Sequence, residues 1–164
     1  MIKFYKVSYE QFKKDFPSCY DEEFIRDCYN KIKLPERATT GSAGYDFFAP
    51  FDIRLSPNIT CTFPTGIRCE MDSNVVLMLY PRSGKGFKYR LALNNTVGVI
   101  DSDYFFANND GHIMVKMNYT ENDIPSMYIK QGEGFMQGIF INYLTTDDDN
   151  ATGVRVGGFG STSK

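Results

Sequence analysis

The rhythm of hydrophobic and polar positions changes near residue 34. Before it, apolar residues recur at helical spacing. Tyr9, Phe12 and Phe16 repeat at i, i+3 and i+7, and Ser8 with Gln11 has capping-box spacing. Pro17 and Ser18 break this patch, and Asp21 then stands where it can cap a second helix. That helix would carry Phe24, Ile25, Cys28, Tyr29 and Ile32 on one face. A loose alternation over 2–7 predicts an opening strand ahead of both helices. The two apolar faces read as packing surfaces, with binding of a protein partner as the alternative.

From Leu34 onward the pattern is one of short strands. FDIRL (51–55), ITCTF (59–63) and GIRCEM (66–71) alternate in part. VVLMLY (75–80), HIMVKMNY (112–119) and GIFINYL (138–144) read as buried strands, with Gly, Pro and Asn at the joins. Many short strands with little helix predict an all-β sandwich or jelly roll. TTDDDNATG (145–153) is polar and acidic and reads as a solvated tether. It leads to a glycine-rich tail, VGGFGST (156–162), expected to be disordered without ligand. The organisation is therefore one domain over 1–164, with a helical insert at 8–32 and a tether and C-terminal arm at 145–164.

Composition narrows the function. A chain of 164 residues can bury a substantial core. Its net charge of −2 shows no basic field of the kind a nucleic-acid binder carries, so no direct nucleic-acid binding is expected. A polyanionic substrate would have to be held by a few local cations, backbone amides and a metal. Cys19, Cys28, Cys61 and Cys69 include no CxxC pair and fit no zinc framework, so reduced, buried thiols are expected. MIKFYKVSYEQF has no apolar leader and no run reaches membrane length. The reading is a soluble, intracellular, cytoplasmic protein without a membrane.

Five segments carry the chemistry: GSAGYDFFAP (41–50), PRSGKG (81–86), NNTVGVIDSDY (94–104), QGEGFMQGIF (131–140) and VGGFGST (156–162). In the third, a Val/Ile run leads straight into two aspartates and a tyrosine, a hairpin that offers backbone groups to a flat ligand with a carboxylate beside it. As bare residues, Asp101 is a strand-end or turn aspartate and Tyr104 a core aromatic. Likewise Asp46 is a turn former and Gln137 a core amide. Together and in this order, the segments resemble the trimeric all-β dUTP pyrophosphatases (dUTPases) over roughly residues 35–162.

The resemblance implies a β jelly roll of the β-clip type, a homotrimer with sites shared between subunits, and hydrolysis of dUTP to dUMP and pyrophosphate with Mg²⁺. Asp101 would position the water that attacks the α-phosphorus. Asn95 and the backbone of Gly98, Val99 and Ile100 would read uracil, and Tyr104 would pack on the deoxyribose and exclude a 2′-hydroxyl. Arg82, Ser83 and Gly84 would hold phosphates. Asp46 and Gln137 would reach the metal through its waters, and Gln137 also the phosphates. On the arm, Phe159 would stack on the base while Gly160, Ser161 and Thr162 close over the phosphates. Asp103 is read as a brace that bonds hairpin backbone, and His112 as a surface or strand residue.

The chain departs from the family pattern at several points. The helical insert and the segment FFANN (105–109) are additions; the paired phenylalanines suggest an inter-subunit contact. Gly134 stands where the family often has arginine, so that arginine's contact must be absent or replaced. Lys85 stands where an apolar residue is frequent and reads as exposed. Only Val156 separates Arg155 from GGFG, one residue closer than the family's usual spacing, which leaves it a shifted path to the γ-phosphate. Two rival functions follow. A deaminase acting on dCTP needs a glutamate near the base, and 94–104 contains none. A regulatory protein that keeps the pocket would work through the helical insert or the 105–109 loop.

Overall fold

The computed structural model describes residues 1–121 and 123–157. Strand β1 (Lys3–Lys6) is followed by helices α1 (Tyr9–Asp15) and α2 (Glu22–Asn30). Both helices start as their sequences dictate. Ser8 Oγ accepts from Gln11 N–H, and Asp21 Oδ1 accepts from Phe24 N–H at 2.8 Å. The helices turn Phe12, Phe16, Ile25 and Cys28 inward, whereas Phe24 remains exposed.

Strands follow: β2 (Tyr45–Phe48), β3 (Ile53–Leu55), β4 (Cys61–Pro64), β5 (Ile67–Glu70) and β6 (Val75–Pro81). Helix α3 (Ser83–Tyr89) separates β6 from β7 (Leu91–Leu93) and β8 (Gly98–Ile100). A 3-10 helix (Ser102–Phe106) then leads to β9 (Met114–Tyr119), β10 (Met127–Ile129) and β11 (Gly134–Asn142). One sheet has the order β2-β11-β6-β8 and a second β4-β9-β7; β1-β5 and β10-β3 form two-stranded ribbons. All these pairs are antiparallel. The all-β jelly-roll expectation holds.

Alternation fixes which sheet faces meet. Val75, Leu77 and Leu79 of β6 point inward, as do Val115, Met117 and Tyr119 of β9. The core lies between the two sheets, where Phe63 of β4 and Phe135 of β11 touch with ring centroids 5.4 Å apart. α3 was not foreseen. It buries no residue, so its segment SGKGFKY has no apolar period to betray it. Segment 94–104 is not a regular hairpin either. β7 pairs with β9 and β8 with β6, so 94–97 is a turn between two sheets, closed by the isolated Leu93↔Thr96 bridge with Thr96 at φ 62°.

His112 corrects the sequence reading most sharply: it is fully buried. Gly66 N–H donates to its Nε2 at 2.9 Å, so Nε2 carries no proton and Nδ1–H donates to Asp15 Oδ2 at 2.6 Å. The imidazole thus bolts α1 to the loop ahead of β5. Gly66 has φ +75°, and a side chain there would run into Ile32 and Phe12, which is why the helical pair can lie so close. Burial pushes the His112 pKa below its ordinary 6.5, against the opposing pull of Asp15 and Asp110. The folded imidazole is therefore neutral where the unfolded one protonates. Its contribution to stability is complete above 6.5 and is lost as pH falls from there toward the depressed folded value. Urea midpoints should fall as pH drops below 6.5, and His112→Gln should flatten that dependence; equal slopes for the two proteins would show that the drop arises elsewhere.

The four thiols are free, with Cys28 and Cys69 buried, Cys61 half-buried and Cys19 exposed, so burial is general to all but Cys19. Burial pushes the Cys69 thiol up to about 12. Of the 105–109 segment, Phe105 lies under the Arg68 guanidinium, 3.8 Å from its ring centroid, while Phe106 is exposed. No helix among the described residues is long and apolar enough to cross a membrane.

Candidate active site

The β7–β8 turn roofs a cavity of about 290 Å³. Leu79, Leu93, Ile100, Val115 and Met136 make its walls apolar, and Asn95 and Gly98 stand at its lining from the turn. Gly98 is needed here: a Cβ would sit 3.0 Å from that of Leu79 on β6. Asn95 and Val99 are exposed, Ile100 buried. Three of the four residues expected to read a base thus surround one cavity, and Val99 lies on the strand between them.

Asp101 follows β8 directly, with its side chain half exposed. Arg155 reaches it from the arm: Nη2 donates to Asp101 Oδ2 at 2.5 Å and Nε donates to Asp103 Oδ1 at 2.8 Å. Asp103 therefore holds the arm and not, as the sequence suggested, the hairpin backbone. Asn108 N–H donates to Val156 O at 3.1 Å and fixes the same stretch. The arm root meets Asp101 of its own chain. Phe159, Gly160, Ser161 and Thr162 lie outside the described residues.

Tyr104 is packed inward, at 3 % exposure. Its hydroxyl donates to His112 O at 2.7 Å and accepts from Asn109 Nδ2 at 2.8 Å, and the Arg155 guanidinium lies 5.7 Å from its ring centroid. Burial raises its pKa. This packing is that of the core aromatic the bare residue suggested, and not of a ring face turned toward a sugar.

A second group gathers where β6 leaves its sheet. Asp46 and Gln137 are cross-strand partners on β2 and β11. Arg82 Nε pairs with Asp46 Oδ1 at 3.3 Å, and Gln137 Nε2 donates to Pro81 O at 3.4 Å. Ser83 and Gly84 begin α3 beside them and are exposed. Lys85 is not exposed, as its spacing suggested, but pairs with Glu133. Gly44 leaves room for the Gln137 amide, whose Oε1 would stand 2.6 Å from a Cβ there. Neither Gly44 nor Glu133 was singled out by sequence, because their roles are spatial rather than chemical.

The two groups do not meet within one chain. Ile100 pairs with Leu77, so Asp101 lies level with position 76 of β6, while Arg82 follows its other end. From position 76 to 82 the strand rises roughly 20 Å. Among the described residues, no three His, Cys, Asp or Glu side chains come together as a metal cage.

Open antiparallel sheets folded over an apolar core place the molecule in the β-clip, jelly-roll class. The dUTPase family model matches residues 30–163, and the chain belongs to that family. It is 39% identical over 135 residues to the deoxyuridine 5′-triphosphate nucleotidohydrolase of Lactococcus lactis subsp. lactis, covering 80% of this chain and 88% of that one. The solved dUTPase of Streptococcus mutans is 33% identical, with a TM-score of 0.64 over 80% of this chain and 96% of its own. The Staphylococcus bacteriophage 80alpha dUTPase, in complex with dUpNHpp, shares the fold at 18% identity, with a TM-score of 0.66 over 92% of this chain and 96% of its own.

Proposed function

We propose that this chain is a dUTP diphosphatase that converts dUTP and water to dUMP and pyrophosphate. The observation that carries this reading is the apolar cavity beneath the 94–98 turn, with Asp101 one residue beyond its wall. Uracil enters the cavity and exchanges hydrogen bonds with Asn95 and with the backbone of 98–100. Cytosine presents the inverse pattern and leaves buried groups unpaired. Asp101 orients a water and accepts part of its proton as the oxygen attacks the α-phosphorus; the bond to the bridging oxygen breaks in line, and pyrophosphate leaves. Limiting dUTP keeps uracil out of DNA, and the product supplies dUMP.

The separation of Asp101 from Arg82 supports a site completed between subunits, in a homotrimer, with the phosphate group of one chain facing the cavity of another. Arg82 and Ser83 bind the phosphates there. Asp46 and Gln137 offer hard oxygen donors side by side but only one carboxylate, a set that fits Mg²⁺ held chiefly by phosphate and water. When bound, Mg²⁺ neutralises charge on the triphosphate. The tail beyond Gly157 closes over the phosphates, with Phe159 on the base. Arg155, now on Asp101, lies where an incoming triphosphate can draw its charge away.

Pyrophosphate release measured side by side from dUTP, dCTP, dTTP and UTP tests the reading. Turnover of dUTP with little of the other three is expected. Ammonia released from dCTP would replace it with the deaminase reading.

A further inference from the structure

The Arg82 side chain does not stay on its own strand. β11 lies between β6 and β2, and Arg82 follows β6 while its ion-pair partner Asp46 is on β2. To reach it, the side chain crosses β11, and the residue beneath the crossing is Gly134. A Cβ at Gly134 would stand 2.6 Å from Arg82 Nη1 and 3.3 Å from Arg82 Cδ, and the three nearest atoms all belong to Arg82. Gly134 N–Cα geometry does not require glycine, since its φ is not in the left-handed region. What the position requires is the missing side chain. The main chain of the two strands is locked at the same point, because Arg82 N–H donates to Phe135 O at 3.1 Å. The nearby Lys85 is engaged by Glu133, while the Arg82 side chain stays 44% exposed.

We propose that Gly134 is a positioning residue for substrate phosphate: its bare backbone is the channel through which Arg82 crosses β11 to Asp46, which presents one oriented guanidinium to the triphosphate. Asp46 fixes the Nε edge of the fork, and the crossing fixes its direction. A single immobilised fork binds phosphate with less loss of side-chain freedom than a free one. This rests on the dUTP reading given above.

Gly134→Ala isolates the idea, because the atoms that must yield are the far end of one flexible side chain, so folding should be retained. Calorimetric binding of the α,β-imido analogue of dUTP and of deoxyuridine is compared for wild type, Gly134→Ala, Arg82→Met and the double variant, with the thermal midpoint of each. Gly134→Ala should weaken the triphosphate analogue by about tenfold, leave deoxyuridine unchanged, and add nothing in the Arg82→Met background. Wild-type affinity in Gly134→Ala, an equal loss of deoxyuridine, or a loss that persists without Arg82 would overturn the proposal. Wild-type protein that binds no analogue would overturn it together with the dUTP reading.

Discussion

Asp101→Asn should lower pyrophosphate release from dUTP by about 10²–10⁴-fold and leave affinity for dUMP nearly intact. The substitution keeps the shape of the side chain and removes the acceptor for the water's proton. It also cuts the charge that holds Arg155, which is bonded to Asp101 and to Asp103. That second effect is separable. Asp103→Asn weakens the same arm contact without touching the water, so it should cost far less in turnover. Single-turnover rates for the two variants decide the matter, and near-normal chemistry in Asp101→Asn would remove the residue from the catalytic role.

The second large effect is expected from ending the chain after Asp149. Strand β11 closes at Asn142, so no strand is lost and the thermal midpoint should hardly move. Turnover should fall by about 10²-fold or more, as when donors to a reacting oxyanion are removed. Binding of dUMP should fall much less, since it lacks the terminal phosphates. Ordering a tail costs about 1–2 kcal/mol per residue in backbone entropy, and contacts to phosphate and base must offset that cost. Arg155→Ala sharpens the comparison. If it matches the truncation, the arm acts through its arginine; if it is mild while truncation is severe, backbone amides, Phe159 and the hydroxyls carry the effect. Full activity in the truncated chain would make the arm a plain tail.

What could be read from sequence was what is local. Ser8 and Asp21 cap their helices because a cap is decided within one turn. The alternation of β6 and β9 announces which side chains are buried. The site was legible as five spaced segments, but its mutual geometry was not. His112 meets a carboxylate 97 positions away, and no pattern near His112 hints at it. Arg82 and Asp46 come together only because β11 pairs with both of their strands, and Gly134 matters there by what it lacks. The 94–104 segment has the composition of a hairpin, yet the strands that flank its turn, β7 and β8, pair in different sheets.

The helical pair α1–α2 cannot be lifted from the rest of the fold without exposing what it covers. Phe12 and Phe16 have given their faces to the interior, Gly66 has been shaped to admit Ile32, and His112 is satisfied only while Asp15 stands opposite. A helical pair that has traded its own surface in this way is not detachable. Without it, His112 would lose its carboxylate acceptor, and Gly66 and the apolar floor would lose the Phe12 and Ile32 side chains that cover them. The helices therefore act as a cover whose removal would unseat residues in the sheets and loops beneath, rather than as an appendage.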